Sequence, residues 1–146
     1  MRRSRPLVLV CAPYRGEAAR LKRLLSPRYR VVLSAVPFDA LNVVLRGSFG
    51  AMVLALHRKD QSFLGMIPVL KKIRPDLPII VVADGRSLEE QRSVQREGIF
   101  YFLPRPIERE EILAAVANAV EKGGRSIEPL ARPLAEMGAK GSSEKG

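Results

Sequence analysis

"RPDLPIIVVA", residues 74–83, sets a charged, proline-marked entry against five apolar residues in a row, Ile79 to Ala83. A half-exposed strand alternates apolar and polar residues, whereas an unbroken apolar run of this length marks a strand covered on both faces. Similar short runs recur at "PLVLVCA" (6–12), "YRVVLSA" (29–35), "AMVLAL" (51–56) and "IFYFL" (99–103). The segments between them carry helical spacing. Ala18, Leu21, Leu24 and Leu25 form one stripe, Leu41, Val44 and Leu45 a second, and Ile67, Leu70 and Ile73 a third. Ser87 followed by Glu90 predicts a capping box at the start of a fourth helix, and Gly98 stands where a left-handed stop is wanted. The fifth helix is expected after Pro106, with Glu108, Glu110 and Glu111 at the positive end of its dipole. Its inward stripe is Ile112, Val116 and Val120, and its halt is expected at Gly123 and Gly124. Pro68 restricts the third helix to a start near Met66–Pro68, because proline is tolerated only in a first turn.

Five strand–helix repeats with strands buried on both faces imply a doubly wound α/β fold: a five-stranded parallel sheet with right-handed crossovers, in three α/β/α layers. The 146 residues suit one domain, expected over 1–124, with a flexible Gly/Ser/Pro-rich tail over 125–146. No apolar run is long enough for a membrane-spanning helix, and a cytoplasmic location is expected. A single cysteine excludes an internal disulfide, and lone Cys11 with lone His57 cannot build a zinc cluster, so no metal or cofactor is expected.

The formal charge of +10 is concentrated in the first half. Residues 1–60 carry 12 Lys and Arg against Glu17, Asp39 and Asp60, while residues 61–124 balance nine of each sign. The densest basic patch is Arg20, Lys22, Arg23, Arg28 and Arg30. It raises the alternative of a binding domain for nucleic acid or an anionic ligand. No recognition helix, stacking aromatic set or zinc finger accompanies that patch.

In an open parallel sheet, ligands bind beyond the carboxyl ends of the strands where the strand order reverses. That rule points to Cys11 and Ala12, Ala55 and Leu56, Ala83, and Arg105 with Pro106. From Pro6 to Glu121 the chain resembles the receiver domain of bacterial response regulators, the CheY-like flavodoxin fold, and "YFLPRPIEREEIL" (101–113) is similar to NtrC-type receivers. The resemblance implies an acidic Mg²⁺-binding pair after the first strand, a phosphoacceptor aspartate ending the third, a hydroxyl ending the fourth, and a lysine before a cis proline. Carried over by position, these fall on Cys11 and Ala12, on Ala55 or Leu56, on Ala83, and on Arg105 before Pro106. None of the three acids, nor the hydroxyl, is present.

Phosphoryl transfer to a carboxylate needs that carboxylate and a hard cation held by oxygen ligands. The resemblance therefore implies a pseudo-receiver that is not an enzyme and that signals by protein–protein contact, with a histidine kinase or output protein as partner. It also implies docking or homodimerisation through the face built from the fourth helix, fifth strand and fifth helix, here Glu89, Arg92, Arg96, Tyr101, Phe102 and Arg109. Arg105 is expected to hold an anion or to pair with a loop acid, Asp60 or Asp84. Asp60 could be proposed as a substitute phosphoacceptor, but it lacks companion Mg²⁺ ligands. Cys11 is expected to be a small buried hydrophobe rather than a redox sensor.

Overall fold

The computed structural model describes residues 5–84 and 88–127. The element order is β1 (Leu7–Cys11), α1 (Arg15–Leu25), β2 (Arg30–Ser34), α2 (Pro37–Arg46), β3 (Ala51–Ala55), α3 (Met66–Ile73), β4 (Ile79–Ala83), α4 (Leu88–Gln95), β5 (Tyr101–Pro104) and α5 (Arg109–Ile127). All pairings are parallel, in the order β2-β1-β3-β4-β5. Each parallel neighbour is reached by a helical crossover, as the unbroken apolar runs require.

The pleat divides the core into two layers. Val8, Val10, Val53, Ile80 and Val82 face Ala18, Leu21 and Leu25 of α1 and Ile112 and Val116 of α5. The alternate residues Leu9, Met52, Leu54, Ile79 and Val81 face Val44 of α2, Ile67 and Leu70 of α3, and Val94 of α4. The central strands β3 and β4 are buried at every position, whereas the edge strand β2 exposes Arg30 and Leu33 and the edge strand β5 exposes its two ends. Pro68 is the third residue of α3, where its missing N–H costs no helical bond. Gly98 adopts φ 86°, the left-handed conformation that lets the chain reverse from α4 into β5.

Three expectations are corrected. The helix α5 does not halt at Gly123 and Gly124 but runs on to Ile127. Glycine inside a helix costs only about 1 kcal/mol relative to alanine, so a Gly pair weakens a helix without ending it. The expected flexible tail therefore begins inside helix, and from residue 128 it lies outside the described residues, as does Ser87 of the expected capping box. Leu45 and Ile73, placed on the inward stripes of α2 and α3, are 58% and 40% exposed. On α2 the sheet-facing pair is Ala40 and Val44; small Ala40 lets the helix settle one notch round, which turns Leu45 outward.

Candidate functional site

At the carboxyl rim the strand order reverses between β1 and β3, the position where this architecture places ligands. The floor of the rim is apolar and closed. Cys11 and Ala55 are fully buried, and Ala12, Leu56 and Ala83 nearly so. Backbone bonds carry the sheet ladder past the strand ends: the Ala12 N–H donates to the Ser34 carbonyl, the Leu56 N–H to Val82, and the Arg105 N–H to Ala83. The positions expected to be chemically silent are thus brought together as one surface with no side-chain oxygen. Burial pushes the Cys11 thiol well above the usual thiol range, in keeping with a packed hydrophobe.

Above this floor lies a charged cluster centred on Arg105, which precedes a cis bond to Pro106. Its Nε donates to Glu17 Oε2 at 2.8 Å and Nη2 to Glu17 Oε1 at 2.9 Å, a bidentate fork. Nη1 donates to the Leu56 carbonyl at 2.7 Å and to Asp84 Oδ1 at 3.1 Å. Nη2 also lies 2.9 Å from His57 Nε2. A guanidinium has five N–H groups; four are committed to Glu17, Leu56 and Asp84, and the fifth is taken up when His57 Nε2 accepts it.

His57 Nε2 in turn lies 2.8 Å from Glu17 Oε1. One ring nitrogen cannot both donate to Glu17 and accept from Arg105, so the ring tautomer selects between two hydrogen-bond patterns. The ring is held on two further sides. Tyr14 meets it edge-on at 4.5 Å, and a reciprocal backbone pair with Asp60 closes the loop at Arg58 and Lys59. Burial works to raise the Glu17 pKa, but the hydrogen bonds and charge of Arg105, followed by those of His57, outweigh it and hold the carboxyl below the usual glutamate range. Burial likewise works against the Arg105 charge, and Glu17 and then Asp84 outweigh it, raising that pKa further.

Asp84 is one of the two acids expected to pair with Arg105; Asp60 is not its partner. The Asp60 carboxylate accepts from the Ser62 hydroxyl at 2.7 Å and the Ser62 N–H at 3.1 Å, bonds that hold it below the usual aspartate range. The principal partner, Glu17, escaped the sequence reading. The available signal was that Glu17 is the sole acid in the first 38 residues of an otherwise basic segment. Its position in the first turn of α1 carries it to the rim.

The residues do not fit a bound Mg²⁺ ion. The positions beside β1 and β3 offer a thiol and aliphatic groups, the Glu17 and Asp84 carboxylates are turned onto Arg105, and among the described residues no cluster of His, Cys, Asp or Glu suits a metal.

Of the expected interaction face, Glu89, Arg92, Arg96 and Arg109 are exposed, and Tyr101, 40% exposed, donates its hydroxyl to Glu111 at 3.3 Å. Phe102 does not belong to that face: it is buried with Val81 and Val94, because β5 alternates and turns it inward. The basic patch is divided as well. Arg20 donates to the Ile107 carbonyl at 3.0 Å, tying α1 to the turn before α5, while Lys22, Arg23, Arg28 and Arg30 are exposed.

No family model matches the chain. It is 23% identical over 100 residues to the transcriptional regulatory protein GlrR of Escherichia coli K12, covering 68% of this chain and 22% of that protein. A stretch of 61 residues, 42% of this chain and 13% of the other, is 38% identical to the DNA-binding transcriptional regulator NtrC of Azospirillum brasilense. The chain thus spans about a fifth or less of these relatives. Among solved structures, the CheY-like response regulator receiver domain protein from Methanospirillum hungatei JF-1 superposes with a TM-score of 0.75 at 17% identity, over 84% of this chain and 99% of that one. Among the described residues no helix is long and apolar enough to cross a membrane.

Proposed function

We propose, from the premise that this chain has the CheY-like receiver fold and resembles NtrC-type receivers, that it is a signalling module which works by protein–protein contact without being phosphorylated. One observation carries this reading: at the rim, four of the five Arg105 donors are already committed to Glu17, Asp84 and the Leu56 carbonyl above a floor that has no side-chain oxygen. In a phosphorylated receiver a cation at this position stabilises charge arriving with the phosphoryl group. Here Glu17 supplies that negative charge from within the chain at neutral pH, so Arg105 is held in place without a chemical signal. The reading assigns no catalysis to the chain and expects a kinase or output protein as partner. The exposed, mixed-charge surface of α4, β5 and α5 is one docking surface, and homodimerisation through it is part of the same proposal.

Incubation of the protein with acetyl phosphate and Mg²⁺, followed by intact-mass measurement, tests the proposal. No added phosphoryl group is expected in the wild type or in Asp60→Asn. A phosphoryl adduct in the wild type would overturn it, and loss of that adduct in Asp60→Asn would transfer the role to Asp60.

The basic patch is a weaker basis for function. Arg20 is committed to a backbone carbonyl, and of the remaining cations only Lys22 and Arg23 border a common open depression, while Arg28 and Arg30 are spread over the following turn and β2.

A further inference from the structure

The outer face of α2 carries a pattern that core packing does not explain. Phe38 is 75% exposed and Leu45 58%, and they stand seven residues apart, two helical turns or about 10 Å along one stripe. Each is followed by an exposed residue of opposite charge, Asp39 after Phe38 and Arg46 after Leu45, again seven apart and on one flank of the stripe. Val69 and Ile73 of the neighbouring α3, 42% and 40% exposed, extend the apolar surface, and Arg74 pins the two helices by donating to the Val44 carbonyl at 3.0 Å. Together these four side chains leave on the order of 300–400 Å² of apolar surface in water, as much as the largest patch on a typical monomer.

We infer that this surface pairs with a second copy of the same chain, α2 against α2 in antiparallel orientation about a twofold axis near Leu41 and Asn42. An isologous interface requires that if residue i meets residue j, then j meets i. Two equal seven-residue spacings satisfy this at once: Phe38 meets the Leu45 of the other copy, and Asp39 meets its Arg46, each contact occurring twice. A twofold perpendicular to the helices keeps the charged flanks on the same side of the groove, so the four charges alternate in sign across it. The apolar area is most of the roughly 450 Å² non-polar share of a standard interface of about 800 Å² per partner. An unrelated partner would have no need of the matched spacing. The inference is independent of whether the rim takes a phosphoryl group, and it uses a different face from α4, β5 and α5.

Sedimentation equilibrium of the full chain over a concentration series tests it. A reversible dimer is expected, weakened by Phe38→Glu at least about 30-fold. Asp39→Arg alone sets arginine against arginine at both ends of the interface, and Arg46→Asp alone sets aspartate against aspartate. Each should weaken association several-fold, and the double variant should restore it to within about twofold of the wild type. A purely local role would give another pattern. Asp39 and Arg46 also complement the dipole of α2, so if that were their only task the double variant would lose melting temperature twice over and association would not respond. Since all three residues are exposed, unchanged circular dichroism serves as the folding control. A monomer at every attainable concentration, a dimer indifferent to Phe38→Glu, or failure of the double variant to recover association would each overturn the inference. So would dissociation by Tyr101→Glu with Phe38→Glu silent, which would place the dimer on the β5 side.

Discussion

The floor and the roof of the rim are built on opposite principles, a few ångströms apart. The floor is Cys11, Ala55, Leu56 and Ala83, held by packing and by the backbone ladder, with nothing to titrate at neutral pH. The roof is Glu17, His57, Asp84 and Arg105, half-buried groups held almost entirely by charge-assisted hydrogen bonds. A floor without carboxylates does not leave the rim neutral. One carboxylate is supplied from the helix above instead, where it meets an arginine rather than a cation from solution. The roof is a closed circuit of charges, and the difference between the halves is that one depends on shape and the other on ionisation.

The contrast should be visible in stability. Leu54→Ala, directly beneath the rim and fully buried, removes packing while leaving the charges in place; a loss of about 3 kcal/mol in urea unfolding is expected. That loss should hardly vary between pH 7 and pH 4, since no group in the floor titrates there. Arg105→Ala attacks the roof, stranding Glu17 and Asp84 under partial burial. An uncompensated buried charge costs 3–5 kcal/mol, and residual solvent access at the rim reduces this to about 2 kcal/mol. A loss below about 0.5 kcal/mol would show the roof to be a solvated ornament.

Glu17→Gln should be milder, about 1 kcal/mol at pH 7 after allowance for solvent screening, and it sharpens the comparison through its pH dependence. The folded-state pKa of Glu17 is depressed, so its contribution is complete above the ordinary glutamate value of about 4.3 and is lost as pH falls through the depressed value. The wild type should therefore lose part of its advantage over Glu17→Gln in unfolding measured from pH 5 down to pH 3. Parallel curves for the two proteins would remove Glu17 from the circuit.

The floor could be read from the chain alone and the roof only in part, for a physical reason. Ile79–Ala83 announces a strand covered on both faces whatever surrounds it, and Gly98 and Pro106 declare backbone geometry that few other residues adopt. Arg105 was identifiable as a cation seeking an acid, and Asp84 lay close enough in sequence to be named. Glu17, 88 residues away, reaches Arg105 only because α1 packs on the sheet with its first turn at the rim, and such a meeting depends on tertiary packing that no local pattern encodes. The errors on Leu45 and Ile73 have the same origin. Helical spacing marks a stripe of apolar residues, but how far a helix rotates on the sheet depends on tertiary packing, on α2 through small Ala40 and on α3 through Met66, Ile67 and Leu70. Gly123 and Gly124 mark where a helix is weak, and α5 continues through them.

Cys11 has a practical consequence. Its sulfur is sealed at the end of β1, with a thiol that burial keeps protonated, so a thiol-reactive reagent meets no nucleophile while the sheet is intact. Modification must await an opening that exposes the first strand, and its rate therefore measures how often the centre of the molecule comes apart. The protein carries its own built-in clock for that event, needing neither an engineered label nor a reporter tryptophan, of which the chain has none.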